Sequence, residues 1–120
     1  RAGAFDAVVL SLVLSFLPTP ELRREMLDRA RRSLRLSPPG SLFVIEKTSL
    51  HRAESQSLEN FQEALEAAGF QCQKYSAVGT LDGDKCPNRH AHAWHLRPTA
   101  EPRPSPLPTF KEDRRNGAGN

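Results

Sequence analysis

The sequence predicts an α/β domain with a mainly parallel sheet whose last two strands run antiparallel. Short apolar runs alternate with amphipathic helical segments as far as Val78. Such alternation requires crossover helices, and crossover helices join parallel strands. The last two predicted strands are separated by a loop that is too short for a crossover helix, so we expect them to pair antiparallel.

Length and composition allow one small domain. The chain has 120 residues, of which 38% are hydrophobic, and its mean hydropathy is −0.56. A net charge of +3 permits an RNA or phosphate partner without requiring one. Two cysteines, Cys72 and Cys86, are too few for a disulfide framework. The longest apolar run is too short to span a bilayer, so we expect no membrane partner.

The apolar run from Ala7 to Phe16, AVVLSLVLSF, is the first predicted strand. It lacks regular alternation, which is typical of a strand buried on both faces of a sheet. A buried helix is the alternative, but the β-branched residues and the prolines that follow favour a strand. A central strand this close to Arg1 predicts that the chain begins in the middle of a fold, with the first half of its sheet outside it.

The first predicted helix begins at Thr19, with Pro20 at its first position and Glu21 in its first turn. We expect one face to pack against the core, formed by Leu22, Met26, Leu27, Ala30 and Leu34. The opposite face carries Arg23, Arg24, Arg29, Arg31, Arg32 and Arg35. Acidic residues interleave with these arginines, which favours a solvated, ion-paired face over contact with RNA phosphates.

The remaining elements follow in order. The segment Ser37–Gly40 ends the first helix, and Ser41–Glu46 is the second predicted strand. A second helix from Ser57 presents Leu58, Phe61, Leu65 and Ala68, with Gly69 as its C-terminal cap. The last two predicted strands are Phe70–Val78 and His90–Leu96.

The end of the chain differs in composition from the rest. Residues 99–120 are rich in proline, glycine and arginine, with Leu107 and Phe110 as their only large apolar side chains. So little apolar surface cannot offset the entropy lost on ordering. We therefore expect a domain over residues 1–98 and a disordered tail over residues 99–120.

Three segments, FDAVVLSLVL, LRLSPPG and SLFVIE, resemble the second half of class I S-adenosylmethionine-dependent methyltransferases. The longer LSLVLSFLPTPELRREML is similar to the fungal 25S rRNA adenine-N(1)-methyltransferase family, and FQEALEAAGF resembles a later element of it. The resemblance implies the C-terminal half of a Rossmann-like methyltransferase sheet. It also implies methyl transfer from S-adenosylmethionine to adenine N1 of large-subunit rRNA, by direct in-line attack of the ring nitrogen, in the nucleus or nucleolus.

The same resemblance implies that part of the family's fold lies elsewhere. FKEDRRNGAGN is similar to a stretch before the family's last strand, which would place that strand beyond Asn120. The family's Gly-rich cofactor loop and acidic cofactor contacts follow earlier strands and cannot be placed in this chain. We therefore expect the chain alone neither to hold the cofactor nor to be active. A metazoan relative of the family senses S-adenosylmethionine without catalysis, so an interaction module of that kind is the alternative function.

Candidate site residues lie where the first two strands end, because open α/β sheets bind ligands at their carboxyl edges. We predict cofactor contacts at Ser11, Leu14 and Ser15, and substrate contacts at Phe16, Leu17, Pro18 and Glu46. Many amino-group methyltransferases carry a D/N-P-P-Y/F motif here. A serine and a single proline suit a ring-nitrogen target or a binding-only role better.

Phe16 would stack on a flipped base; the alternative is that SFLP only ends a strand. Glu46 would orient substrate, or else cap a helix or face solvent.

The remaining polar residues give weaker predictions, and no catalytic residue can be identified. Cys86, His90, His92 and His95 are spaced too loosely for zinc, and His95 would face away from the other two histidines. We therefore expect no metal and surface histidines on an edge strand. Asp6 precedes the first strand, at the edge opposite the ligand site, which indicates a structural role.

Overall fold

The structure is a computed structural model that describes residues 3–47, 55–78 and 91–110. Its strands and helices are β1 (Ala7–Ser11), α1 (Pro20–Ser33), β2 (Ser41–Lys47), α2 (Ser55–Ala67), β3 (Gln71–Val78) and β4 (Ala91–Arg97). The predicted order of strands and helices is confirmed. In the described ranges, neither helix has the length and apolar character needed to cross a bilayer.

The four strands form one sheet in the order β1-β2-β4-β3. β1 and β2 are parallel, and β4 runs antiparallel to both of its neighbours. The predicted antiparallel pairing of the last two strands is confirmed. Because β4 inserts between β2 and β3, it completes the antiparallel hairpin itself. The further strand that the family resemblance implies beyond Asn120 lies outside the described residues.

The first apolar run is only partly a strand. β1 ends at Ser11, Leu12 turns the backbone, and Leu14–Phe16 form a short 3-10 helix. β1 is also an edge strand of the described sheet, with Val9 exposed on one face. Burial on both faces, as predicted, is not found within the described part of the chain.

The start of α1 agrees with the prediction. Thr19 is the N-cap, and its hydroxyl accepts a hydrogen bond from the Leu22 amide at 3.2 Å. Pro20 occupies the first helical position, where its missing N–H costs nothing. A local capping signal therefore sets the start of this helix.

The faces of α1 differ from the prediction. The buried side chains are Arg23, Leu27 and Ala30, whereas Leu22 is exposed. Since Arg23 is buried and Arg31 is half-buried, the prediction of a solvated arginine face is wrong for these two residues. Both donate hydrogen bonds to backbone carbonyls of distant segments. The predicted ion pairs form elsewhere on the helix, between Arg24 and Asp28 at 2.9 Å and between Arg29 and Glu25 at 3.3 Å.

One hydrophobic core joins both helices to one face of the sheet. Its fully buried members include Leu27, Leu34, Leu42, Val44, Phe61, Leu65, Phe70, Trp94 and Leu96. The rings of Phe61 and Trp94 pack with their centroids 5.1 Å apart. At the end of α2, Gly69 has φ of 102°, as predicted for a C-terminal cap.

Residues 98–110 lie against this core. Phe110 is 5% exposed and stacks on Phe61 with a centroid distance of 5.2 Å. The Arg103 amide donates to the Ala67 carbonyl oxygen. The prediction of disorder is therefore wrong over residues 99–110. One aromatic anchor and several hydrogen bonds suffice, because prolines lower the entropy that ordering removes. Residues 111–120 lie outside the described ranges.

Candidate active site

The segment after β1 lies over the end of β2, and we call residues 12–18 the edge loop. The Leu12 amide donates to the Ile45 carbonyl oxygen at 2.8 Å, which ties the start of the loop to β2. Both strands are parallel, so this is the carboxyl edge at which open α/β sheets bind ligands. The structure brings the predicted contacts to this edge: Ser11, Leu14, Ser15, Phe16, Leu17, Pro18 and Glu46.

The edge loop begins with a strained backbone. Leu12 has φ of 62°, in the left-handed region that residues other than glycine avoid. This conformation costs about 1–2 kcal/mol in an ordinary residue and is retained mainly at functional sites. No pattern in the sequence marks this position, so sequence reasoning missed it.

Two side chains of the edge loop, Phe16 and Ser15, face solvent, and they offer a ligand different kinds of contact. Phe16 is 85% exposed, so its ring is free to stack. The exposed Ser15 hydroxyl donates to the Leu12 carbonyl oxygen at 3.0 Å. Its proton is therefore directed into the loop, and its lone pairs remain as hydrogen-bond acceptors. The loop presents an aromatic ring next to an acceptor oxygen.

Glu46 lies beneath the edge loop and is fully buried. Neither carboxyl oxygen accepts a hydrogen bond of good geometry from the described residues. Burial raises the pKa of Glu46 above its ordinary 4.5. Nearby polar groups, namely the Ser15 hydroxyl and the N–H groups of Ser15 and Leu14, lower this pKa in part, as does the positive charge of Arg23. A solvent-facing Glu46 is therefore excluded, and its carboxyl faces the start of the 3-10 helix.

Arg23 supports the edge loop from α1 and was missed as a site residue. Its Nε donates to the carbonyl oxygens of Leu14 at 3.1 Å and Leu17 at 3.0 Å. The side chain is 3% exposed. Its place one turn after Thr19 resembles that of any solvated helical arginine, so the sequence carries no sign of this role.

The described residues fit only the margin of an S-adenosylmethionine pocket. Ser11 and Ser15 are exposed at the edge, but the Leu14 side chain is fully buried, which leaves only its backbone for a ligand. Within the described ranges, no glycine-rich turn joins a strand to a helix. These residues therefore do not form the pocket by themselves.

The histidines of β4 point to opposite faces, as predicted for His92 and His95. His92 is buried and hydrogen-bonded through Nδ1 to the Tyr75 hydroxyl, while His95 Nε2 lies 2.8 Å from Ser41 Oγ. Because β4 is an interior strand, the expectation of surface histidines on an edge strand is wrong. The described residues contain no cluster of three or more metal-ligating side chains. Cys86 and His90 lie outside the described ranges.

The opposite edge of the sheet carries Asp6. Its carboxylate pairs with the Arg35 guanidinium at 3.1 Å, and both groups are exposed. This contact joins the start of β1 to the segment after α1, in line with the predicted structural role.

A separate groove of about 500 Å³ lies along α2. It is lined by Leu58, Glu59, Gln62, Glu63, Glu66 and Tyr75. Its glutamates repel phosphates, so the groove does not suit a nucleic-acid backbone. The edge loop therefore remains the candidate site for an RNA base.

The fold resembles that of a known enzyme class. A crystal structure of a SAM-dependent methyltransferase from Methanosarcina mazei superposes with a TM-score of 0.60 at 12% sequence identity. The match covers 84% of this chain and 62% of that protein, so the chain spans less than two thirds of its length. Among curated proteins, none matches the chain at a significant level.

The sequence of residues 1–89 matches a family defined by its reaction on ribosomal RNA. This match includes β1, the edge loop, both helices and β3, and so contains every predicted site residue. The chain therefore belongs to the 25S rRNA (adenine(2142)-N(1))-methyltransferase family, Bmt2.

Proposed function

We propose that this chain is part of an enzyme that methylates RNA at N1 of an adenine in large-subunit rRNA, with S-adenosylmethionine as the source of the methyl group. Family membership over residues 1–89 carries this proposal. The exposed Phe16 ring at the carboxyl edge supports it, because methylation of N1 requires an unpaired adenine. Ser11 and Ser15 lie at the margin of the cofactor pocket.

The edge loop suits the Watson–Crick edge of adenine. The Phe16 ring stacks on the flipped base, a contact worth about 1–3 kcal/mol. The Ser15 hydroxyl oxygen accepts a hydrogen bond from the exocyclic amino group, because its own proton is engaged with Leu12. N1 carries a lone pair and no proton, so it needs no general base. Leu17 and Pro18 form the side of this site.

Glu46 acts from beneath the loop. The adenine ring becomes positively charged when N1 is methylated, and a buried carboxylate close to the ring stabilises that charge. Glu46 is enclosed by the loop, so it acts across Ser15 without touching the base.

The proposed substrate implies the partner and the location. Ribosomal RNA is the partner, and the net charge of +3 favours association with a polyanion. Large-subunit rRNA is modified during ribosome assembly, so we propose a nuclear or nucleolar location.

A methylation assay tests the proposal. The full-length gene product containing this chain is incubated with S-adenosylmethionine and a large-subunit rRNA fragment, and 1-methyladenine is measured by mass spectrometry. We expect 1-methyladenine at one adenine and none when that adenine is replaced by 1-deazaadenine. Binding of S-adenosylmethionine without any methyl transfer would overturn the proposal and favour a sensing module.

A variant at Phe16 tests the position of the site. Phe16→Ala removes the stacking ring, so we expect RNA affinity to fall about 5- to 150-fold, the range that corresponds to the stacking energy. Leu36→Ala is the matched control, since Leu36 is an exposed apolar residue at the opposite edge of the sheet. Equal affinities for the two variants would place the substrate elsewhere.

A further inference from the structure

The end of the described chain reaches the candidate site from the far side of the domain. We call residues 98–110 the strap. The Ala100 carbonyl oxygen accepts from Arg31 Nη2 at 3.0 Å, and the Arg103 amide donates to Ala67. Phe110 is buried against Phe61. The strap is therefore held at its beginning, middle and end.

Arg23 connects the strap to the edge loop. Its Nη1 donates to the Pro108 carbonyl oxygen at 3.2 Å, and its guanidinium carbon lies 4.5 Å from the centroid of the Phe110 ring. Its Nε donates to Leu14 and Leu17, on either side of Ser15 and Phe16. One planar, rigid group thus contacts the strap on one side and the edge loop on the other.

We infer that Arg23 is a positioning residue through which the strap sets the conformation of the edge loop, and thereby the affinity for the substrate base. This inference rests on the proposed function for its effect on RNA, but not for its effect on the loop. The strap lies beyond residues 1–89, so it is not part of the segment that matches the family. The strap thereby has a role that family membership does not describe.

The coupling follows from the contacts that Arg23 makes with the strap and with the edge loop, because these contacts help to hold a strained backbone. Leu12 holds a left-handed conformation that relaxes unless the rest of the loop is fixed. Arg23 holds the Leu14 and Leu17 carbonyl oxygens and so helps to fix the rest of the loop. Arg23 in turn is oriented by the Phe110 ring and the Pro108 carbonyl, through a desolvated cation–π contact and a hydrogen bond. Loss of either strap contact loosens the guanidinium and, through it, the loop.

Hydrogen exchange on the full-length protein tests the coupling. Phe110→Leu keeps an apolar side chain in the core but removes the ring that faces Arg23, and Arg23→Lys keeps the charge but loses the planar fork. Thr109→Ala, at an exposed position of the strap, is the matched control. The reporters are the Phe16 and Leu17 amides, which donate within the loop to Val13 and Leu14.

We expect both variants to speed exchange at these two amides about tenfold or more, while the amides of β2 and β4 exchange as in the wild type. Thr109→Ala should leave the exchange rates of the loop amides and of the sheet amides unchanged. Unchanged loop amides would overturn the inference. So would equal acceleration throughout the sheet, because Arg23 would then contribute only to global stability.

A second readout connects the loop to substrate. In the methylation assay, Phe110→Leu should raise KM for RNA about tenfold and leave kcat unchanged. A fall in kcat with an unchanged KM would overturn the link to substrate affinity. If the wild type shows no methylation while the loop amides respond as expected, the proposed function fails and the coupling stands.

Discussion

Arg31 donates a hydrogen bond from Nε to the carbonyl oxygen of Gly69, over a distance of 3.0 Å. A charged side chain of α1 thus holds the turn that ends α2. Its Nη2 holds Ala100 in the same way. Three segments that are distant in sequence therefore meet at the Arg31 guanidinium.

Replacing Arg31 with alanine should destabilise the protein by about 1–3 kcal/mol, because the two half-buried carbonyl groups lose their donor. Arg32→Ala is the control, since the neighbouring side chain is exposed. Urea denaturation followed by circular dichroism measures both variants. Equal midpoints for the two would show that the Arg31 contacts contribute no net stability.

Gly69→Ala should destabilise more than Gly3→Ala. Both glycines have positive φ, 102° and 67°, so both variants lose a conformation that favours glycine, at about 1–2 kcal/mol. A Cβ at Gly69 would also collide with the Arg31 side chain and Pro102, whereas a Cβ at Gly3 meets open space. Thermal unfolding measures the loss of stability in each variant, and the difference between the two losses reports the steric clash at Gly69. A smaller effect at Gly69 would contradict the close packing described for this turn.

Glu46→Gln should stabilise the protein at neutral pH by about 1–3 kcal/mol, since it removes a buried charge that accepts no well-formed hydrogen bond from the described residues. The folded-state pKa of Glu46 lies above 4.5, so folding opposes its ionisation. Stability therefore falls as pH rises from 4.5 through the raised folded-state pKa, and stays lower above it. Denaturation of wild type and variant between pH 4 and 8 measures this. If the difference in stability between wild type and variant stayed constant across that range, the raised pKa would be contradicted.

Cys72 should react slowly with alkylating reagents. Burial raises the pKa of its thiol above 9.0, the negative charge of Glu66 raises it further, and a backbone hydrogen bond involving Lys74 lowers it only in part. The reactive thiolate is therefore scarce at pH 8. Iodoacetamide labelling in a Cys86→Ser background measures the rate, and Glu66→Gln should increase it. A rate equal to that of an unfolded peptide would contradict the prediction.

The chain's own sequence determined the order of the strands and helices and the caps at two helix ends. Thr19 and Pro20 predict the start of α1, and Gly69 predicts the end of α2, because caps act between residues a few positions apart. The spacing of apolar residues likewise predicts strands, helices and the parallel pairing of β1 with β2. It also brings Phe16 and Glu46 to the same edge, since the carboxyl ends of parallel strands lie together.

Only the tertiary structure decided which polar side chains are buried. Arg23 and Pro108 are 85 residues apart, and no local pattern predicts that one binds the other. The same is true of His92, which is buried because β4 inserts between two strands, and of Phe110, which orders a proline-rich segment. A polar or flexible residue becomes ordered only when distant parts of the chain provide its partners. Those partners exist only once the sheet and helices have packed together.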